Sequence, residues 1–280
     1  MEDDLDTQAE NTWCPGCGNF GLLNAFKKAV RTVEERGISR QDLIISSGIG
    51  CHAKIFDYLA LNGLYSIHGR AVATVQGVKI GNPDLQVVAF AGDGDGFGEG
   101  IAHLIFAAKR NSDMTLIVHD NGVYGLTTGQ FTPTSDKGFK GPSSPRGSVE
   151  EPLNPLVLML EAGASFVARG YVGKLEHLAD VMVQALEHKG FSFINVLQPC
   201  VSFNNTYKIY NELVEILEES AATLDEALTM SRRTDRLPIG VIYRSERPIY
   251  HKELYGDWNP ITRRQPRDER LQKVKDLLAP

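Results

Sequence analysis

A doubly wound α/β fold with a mostly parallel sheet is predicted by three features of the 280-residue chain. Strand-like and helix-like segments alternate regularly from residue 43 to residue 200. The strand segments are continuous apolar runs such as Leu85 to Ala91 and Met114 to Val118, as expected for strands covered on both faces. Those runs close on Gly-rich or Asn-containing turns, which in a parallel sheet gather at one carboxyl edge, the place where open α/β sheets bind ligands.

The elements follow in order. Residues 1–12 read as a loose acidic arm. Asn19 is placed to cap a helix running to about Glu35, with Phe20, Leu22, Leu23, Phe26 and Val30 on its inner side, stopped by Gly37. Leu43 to Ile45 is a short buried strand ending at Ser47-Gly48-Ile49-Gly50-Cys51-His52. Leu64 to Arg70 leads into a helix of small residues, Ala71 to Ile80, closed by Gly81-Asn82-Pro83. After the run Leu85 to Ala91 come Gly92-Asp93-Gly94-Asp95, then a helix starting near Phe97, then the run Met114 to Val118 with Asp120-Asn121 behind it. Residues 127–150, rich in Thr, Gly, Pro and Ser, form a long loop, a length that is usually functional or mobile. Asn154-Pro155 opens a helix, Phe166 to Ala168 is a strand, Leu175 to His188 an amphipathic helix, and Phe191 to Leu197 a strand ending at Cys200. Beyond lie a charged helical stretch (211–232), a strand from Pro238 to Tyr243 and a short helix near 268–278. The expected organisation is the arm 1–12, an α/β domain 13–205, and a C-terminal extension 206–280 packed on the core or on a partner.

Composition excludes several classes. A net charge of −6 disfavours nucleic acid and anionic membrane as partners. No apolar run approaches a membrane helix, and the polar N-terminus is not a signal peptide, so the expected compartment is the cytoplasm. With 42% hydrophobic residues the chain can fill a sizeable core.

Chemistry concentrates at the strand ends. Asp93 and Asn121, distant in sequence, should be neighbours in space. A carboxylate, an amide oxygen and a free backbone carbonyl make a hard oxygen set, which suits Mg²⁺ shared with phosphate oxygens. The glycines would let backbone approach a diphosphate. Gly-Asp-Gly, then 26 residues, then Asn121 resembles the signature of thiamine-diphosphate enzymes, although Asp120 replaces the first of the two asparagines usual there. The four cysteines form a second pattern. Cys14 and Cys17 make C-x-x-C on a Pro-Gly turn, while Cys51 and Cys200 each follow a strand at the same edge. Four thiolates brought together suit zinc or a [4Fe–4S] cluster.

W-C-P-G-C-G, S-G-I-G-C, I-H-G-R, G-D-G-D-G and N-G-V-Y-G-L-T-T-G-Q, in this order from Trp13 towards Cys200, closely resemble the β subunit of 2-oxoacid:ferredoxin oxidoreductases. The resemblance implies a thiamine-diphosphate-binding domain. It implies that Cys14, Cys17, Cys51 and Cys200 hold a [4Fe–4S] cluster, and that Asp93, Asn121 and the carbonyl of Val123 hold Mg²⁺. Ile49, Gly50, Cys51, His52, His68, Gly92, Gly94, Asp95, Gly125 and Leu126 would border thiamine diphosphate, with His68 making a catalytic contact. Arg70 is a candidate to neutralise a carboxylate or phosphate. The implied reaction is oxidative decarboxylation of a 2-oxoacid, 2-oxoglutarate or pyruvate, to acyl-coenzyme A and CO₂, reversible as reductive carboxylation, with electrons passing to ferredoxin. A separate α subunit would supply the pyrimidine-binding domain, in an α2β2 heterotetramer. Some relatives that accept 2-oxoglutarate carry lysine where Thr128 stands. The competing readings are a non-redox thiamine-diphosphate enzyme, which leaves the cysteines without a task, and a zinc-stabilised subunit with a degenerate cofactor site.

Overall fold

The computed structural model describes residues 5–279. Among them eight strands form one sheet: β1 (Leu43–Ser47), β2 (Asn62–Tyr65), β3 (Gln86–Gly92), β4 (Met114–Asp120), β5 (Phe166–Tyr171), β6 (Phe191–Leu197), β7 (Val214–Ile216) and β8 (Leu237–Arg244). Their spatial order is β2-β1-β3-β4-β6-β5-β8-β7. All neighbours are parallel except β5 and β8, which run antiparallel. The helices are α1 (Gly18–Glu35), α2 (Ala71–Gly81), α3 (Ile101–Lys109), α4 (Pro155–Glu161), α5 (Leu175–Glu187), α6 (Tyr207–Leu213), α7 (Leu224–Ser231), α8 (Tyr250–Tyr255) and α9 (Arg267–Leu278). None among the described residues is long and apolar enough to cross a membrane.

Side chains alternate across each strand, so β3 sends Val88 and Phe90 to one face and Val87, Ala89 and Ala91 to the other. The first face is covered by α1 and α5, whose Leu22, Phe26, Val30, Leu178 and Met182 are fully buried. The second is covered by α2, α3, α4 and α7 through Val75, Leu104, Met159 and Ala227. Every residue of β4 and β6 is buried, which explains their unbroken apolar character. A buried ion pair ties α2 to the start of β4: Lys79 Nζ lies 2.8 Å from Asp113 Oδ2 and donates to the Leu85 carbonyl.

The register fixes the functional edge. Ser47 pairs with Phe90, Gly92 with His119, and Asp120 with Leu197. The segments leaving β1, β3, β4 and β6 therefore emerge side by side.

Four expectations are corrected. Residues 5–12 are not a loose arm: Leu5 is fully buried, its carbonyl accepts from Ala60 N, and Asp6 pairs with the buried Lys27. The remainder of that arm lies outside the described residues. Asn19 is not a cap but sits inside α1 with its side chain turned to the core. The helical stretch 211–232 is broken, because Val214–Ile216 joins the sheet beside Leu237–Ile239 and a new helix starts at Thr223 with a capping box to Glu226. β8, which follows, lies antiparallel to β5 in the same sheet. The helix expected near Phe97 begins earlier, as a π-helical turn over Gly94–Glu99 ahead of α3.

At the opposite edge, burial, reinforced by Arg244, pushes the His188 imidazole down to about 4. Its Nε2 lies 2.7 Å from Ser165 Oγ, which donates to Asn111 Oδ1 at 2.6 Å. A histidine whose folded value lies below its unfolded one of about 6.5 stabilises the fold at high pH. That contribution is complete above pH ~6.5 and is lost as the pH falls towards 4. Urea midpoints at pH 7 and pH 5 should fall less in His188→Gln than in the wild type; equal falls would refute the assignment.

Candidate functional site

The segments leaving the four adjacent strands enclose a cleft. It is lined by Ile49, Gly50, Cys51 and His52 after β1, by His68, by Gly92, Asp93, Gly94 and Asp95 after β3, and by Asn121, Val123, Tyr124, Gly125, Leu126 and Thr127 after β4. Every residue named from the sequence as a diphosphate or Mg²⁺ neighbour lies on this wall. Tyr124 and Thr127 are additional.

Asp93 is almost fully buried. Its Oδ2 accepts from Thr132 Oγ1 at 2.5 Å and from Thr134 Oγ1 at 2.7 Å. Thr134 Oγ1 also lies 2.8 Å from Asp120 Oδ1, and one hydroxyl proton cannot serve both carboxylates. Burial first, and the neighbouring Asp120 second, push the Asp93 carboxyl up; the two hydroxyls oppose this. Asp120 is also buried and raised, but it has Asn195 donating at 3.0 Å and the Arg169 guanidinium nearby. Among the described residues no basic side chain offsets Asp93. A carboxylate held in this way is a ready ligand for a cation.

Asn121 Oδ1 accepts from Val123 N at 3.0 Å, which folds the chain back so that amide oxygen and following backbone stay close to Asp93. Its Nδ2 donates to Gln198 Oε1 at 3.1 Å. The Tyr124 ring lies over the turn after β3, where its hydroxyl donates to the Gly94 carbonyl at 3.1 Å. A Cβ at residue 94 would meet that ring at 2.2 Å, so glycine is required there by space.

The long loop 127–150 is neither free nor featureless. Besides Thr132 and Thr134, Ser135 Oγ donates to the Gly122 carbonyl at 2.6 Å, and Ser144 and Ser148 bond within the loop. At its start Thr128, next to the cleft-lining Thr127, takes a φ of 74°, unusual for a β-branched residue.

A second cavity adjoins the first, and Cys14, Cys17, Cys51 and Cys200 all line it. Cys51, Asn121 and Gly125 belong to both walls. The C-x-x-C turn is closed by Cys17 N donating to the Cys14 carbonyl at 3.0 Å, and it is carried to the sheet edge by Gly18 N donating to Pro199 O at 3.3 Å. Trp13 Nε1 donates to the Cys51 carbonyl at 2.7 Å. A Cβ on Gly125 would sit 3.5 Å from Cys51 Sγ and 3.8 Å from Cys200 Sγ, so these two sulfurs flank one residue. Burial, with the other three cysteines adding to it, pushes the Cys17 thiol up to about 11. Among the described residues no three His, Cys, Asp or Glu side chains converge on a single-ion position.

Two expectations are refined. Arg70 does not reach into the cleft: its guanidinium donates to the carbonyls of Glu99, at 2.9 Å, and Gly69, at 3.3 Å, and so holds the turn. His52 borders the cleft from behind and is buried, whereas the His68 side chain is 40% exposed. Tyr124 lies in a motif quoted from the sequence but was given no role there, and Thr132, Thr134 and Gln198 carried no signal, since a hydroxyl or amide in a loop reveals its partner only once the fold is closed.

Residues 48–196 match the family described as thiamine pyrophosphate enzyme, C-terminal TPP binding domain, and residues 200–256 match the C-terminal family of the pyruvate ferredoxin oxidoreductase beta subunit. A 2-oxoacid:ferredoxin oxidoreductase subunit beta from Sulfolobus is 38% identical, covering 96% of this chain and 95% of the relative. The 2-oxoglutarate synthase subunit KorB of Methanocaldococcus jannaschii is 35% identical over 87% of this chain and 91% of its own. Among solved structures, a 2-oxoglutarate:ferredoxin oxidoreductase from Magnetococcus marinus, with 2-oxoglutarate, coenzyme A and succinyl-CoA bound, superposes with a TM-score of 0.90 at 35% identity, covering 100% of this chain and 98% of that one.

Proposed function

Because the chain belongs to the β subunits of the 2-oxoacid:ferredoxin oxidoreductases, enzymes of the thiamine-diphosphate class, we propose that its two adjoining cavities hold thiamine diphosphate with Mg²⁺ and a [4Fe–4S] cluster. The adjacency of the cavities, through Cys51, Asn121 and Gly125, is the observation that carries the reading. When bound, thiamine diphosphate supplies the electron sink for loss of CO₂ from a 2-oxoacid, and the cluster accepts electrons singly on their way to ferredoxin.

The residues of the chain bind and orient. Asp93, Asn121 Oδ1 and the Val123 carbonyl would hold Mg²⁺; the unmatched buried charge of Asp93 supports this hard-oxygen set. Thr132 and Thr134 keep the Asp93 carboxylate fixed when the site empties. Ile49, Gly50, His52, Gly92, Gly94, Asp95, Gly125 and Leu126 would wall the cofactor, and His68 would touch the reacting atoms. Cys14, Cys17, Cys51 and Cys200 would hold the cluster. A single zinc ion needs its thiolates about 2.3 Å from one centre. Zinc also has no redox chemistry to offer an enzyme that passes electrons to ferredoxin, which favours the cluster.

Among the described residues, those lining the cleft include no lysine or arginine. The substrate carboxylate and coenzyme A would therefore find their counter-charges on the α subunit, which would also bring the pyrimidine-binding domain, in an α2β2 enzyme of the cytoplasm. The ligands of the Magnetococcus neighbour support 2-oxoglutarate as substrate, with pyruvate the second choice.

Co-expression with the α partner and anaerobic purification provide the test. A viologen dye should be reduced only when coenzyme A and a 2-oxoacid are both present, with 2-oxoglutarate compared directly against pyruvate. Consumption of the 2-oxoacid without dye reduction would instead identify a non-redox thiamine-diphosphate enzyme.

A further inference from the structure

We propose that Asp95 is the positioning residue that presents His68 to the cleft in one tautomer, with the proton on Nδ1 and the Nε2 lone pair turned outward. The carboxylate is fixed before the histidine meets it. Its Oδ1 accepts from Ile49 N at 3.1 Å and from Gly69 N at 2.7 Å, so it joins the turn after β1 to the turn that carries His68. Gly69, the residue next to His68, reaches that oxygen through a backbone φ of 71°. The slot for the carboxylate is cut to size, since a Cβ on Gly48 would lie 1.9 Å from Asp95 Oδ2. Asp95 itself is 3% exposed.

His68 Nδ1 lies 2.9 Å from Asp95 Oδ1 and is buried, with no hydrogen-bond partner in good alignment. Two lone pairs at that separation would repel, so the nitrogen facing the carboxylate carries the hydrogen. With Nδ1 buried, the exposure of the side chain falls on the rest of the ring, and His68 lines the cleft. A neutral imidazole normally donates from one nitrogen and accepts at the other, and the partner of the first decides which. Asp95 thus leaves His68 with a hydrogen-bond acceptor in the cleft. The remaining oxygen, Oδ2, accepts no hydrogen bond and faces His52 Nε2 at 3.6 Å.

The consequence for catalysis rests on thiamine diphosphate occupying the cleft; the tautomer does not. The two are separated by measuring the tautomer directly. Enzyme assembled with its partner and labelled with ¹⁵N-histidine, examined by solid-state NMR at about pH 9, where imidazoles are neutral, should show His68 protonated on Nδ1 alone, with its signals assigned by their loss in His68→Gln. In Asp95→Ala the proton should move largely to Nε2 and kcat should fall by about 10–100-fold, the range for removing an outer-shell orienting group. Asp95→Asn, which keeps an acceptor oxygen, should restore the Nδ1 tautomer and most of kcat. The double variant His68→Gln with Asp95→Ala should be no slower than His68→Gln alone. A wild-type His68 protonated on Nε2 would overturn the proposal even if Asp95→Ala failed to fold, as would an unchanged tautomer in a folded Asp95→Ala. A correct tautomer with no thiamine-diphosphate-dependent turnover would leave it standing and refute the functional reading instead.

Discussion

Asp93→Asn should lower thiamine-diphosphate affinity in the presence of Mg²⁺ by about 100-fold or more, beyond what loss of an outer-shell group costs a metal site, while leaving the empty protein as stable as the wild type or more so. The two effects have opposite signs because one charge causes both. In the empty protein the Asp93 carboxylate is buried, borders Asp120 and has no cation to offset it, so the fold raises its pKa. A carboxyl raised in the folded state costs stability once the pH exceeds the unfolded value of about 3.8. The amide removes that cost at neutral pH and still accepts from Thr132 and Thr134 through Oδ1. The advantage of the variant should disappear below pH ~3.8, where both states of the wild type are protonated. Calorimetric titration with the cofactor and Mg²⁺, beside thermal unfolding without either, reads both quantities. A variant that binds within a few-fold of wild type would remove Asp93 from the metal site. One that binds poorly because it unfolds early would show the carboxylate to be structural.

The pairing of Asp93 with Asn121 was legible because it needs only two facts: both follow unbroken apolar strands, and parallel neighbours end at one edge. The register Gly92 to His119 then brings them together. The same logic found Cys51 after β1 and Cys200 after β6 and grouped them with the C-x-x-C of Cys14 and Cys17, while the family resemblance chose a [4Fe–4S] cluster over zinc. Residues whose roles depend on closure of the fold were not legible. Thr132 and Thr134 lie in a Ser/Thr-rich loop where any hydroxyl looks alike until Asp93 is set beneath two of them. Asn19 has the composition of a cap, yet Oδ1 lies 2.8 Å from His119 Nδ1 inside the core. Val214–Ile216 is too short to show a period of two, and charged neighbours gave it the look of helix; only the edge offered by β8 makes it a strand. Leu5 is one apolar residue in an acidic segment, and no pattern within the segment marks it for burial.

Cys200→Ser should abolish electron transfer and spare thiamine-diphosphate binding, whereas Cys51→Ser should impair both. The distinction follows from position. Cys200 lines only the cysteine cavity; Cys51 lines both, and Trp13 Nε1 holds its carbonyl between them. Serine is close to cysteine in shape, but its oxygen is a hard donor where iron–sulfur ligation calls for a soft thiolate. Iron and sulfide content in Cys200→Ser should fall well below the wild type, and dye reduction by at least about 100-fold, a loss of ~2.7 kcal/mol in barrier terms. Cofactor affinity should stay within a few-fold. The raised Cys17 thiol adds a pH signature, because each ligating sulfur must give up its proton. Reconstitution of the wild type from iron and sulfide should therefore slow as the pH is lowered from 8 to about 6. A Cys200→Ser enzyme with its full iron complement would mean that this cysteine is no ligand, and equal loss of cofactor affinity in both variants would mean that the two cavities are one site.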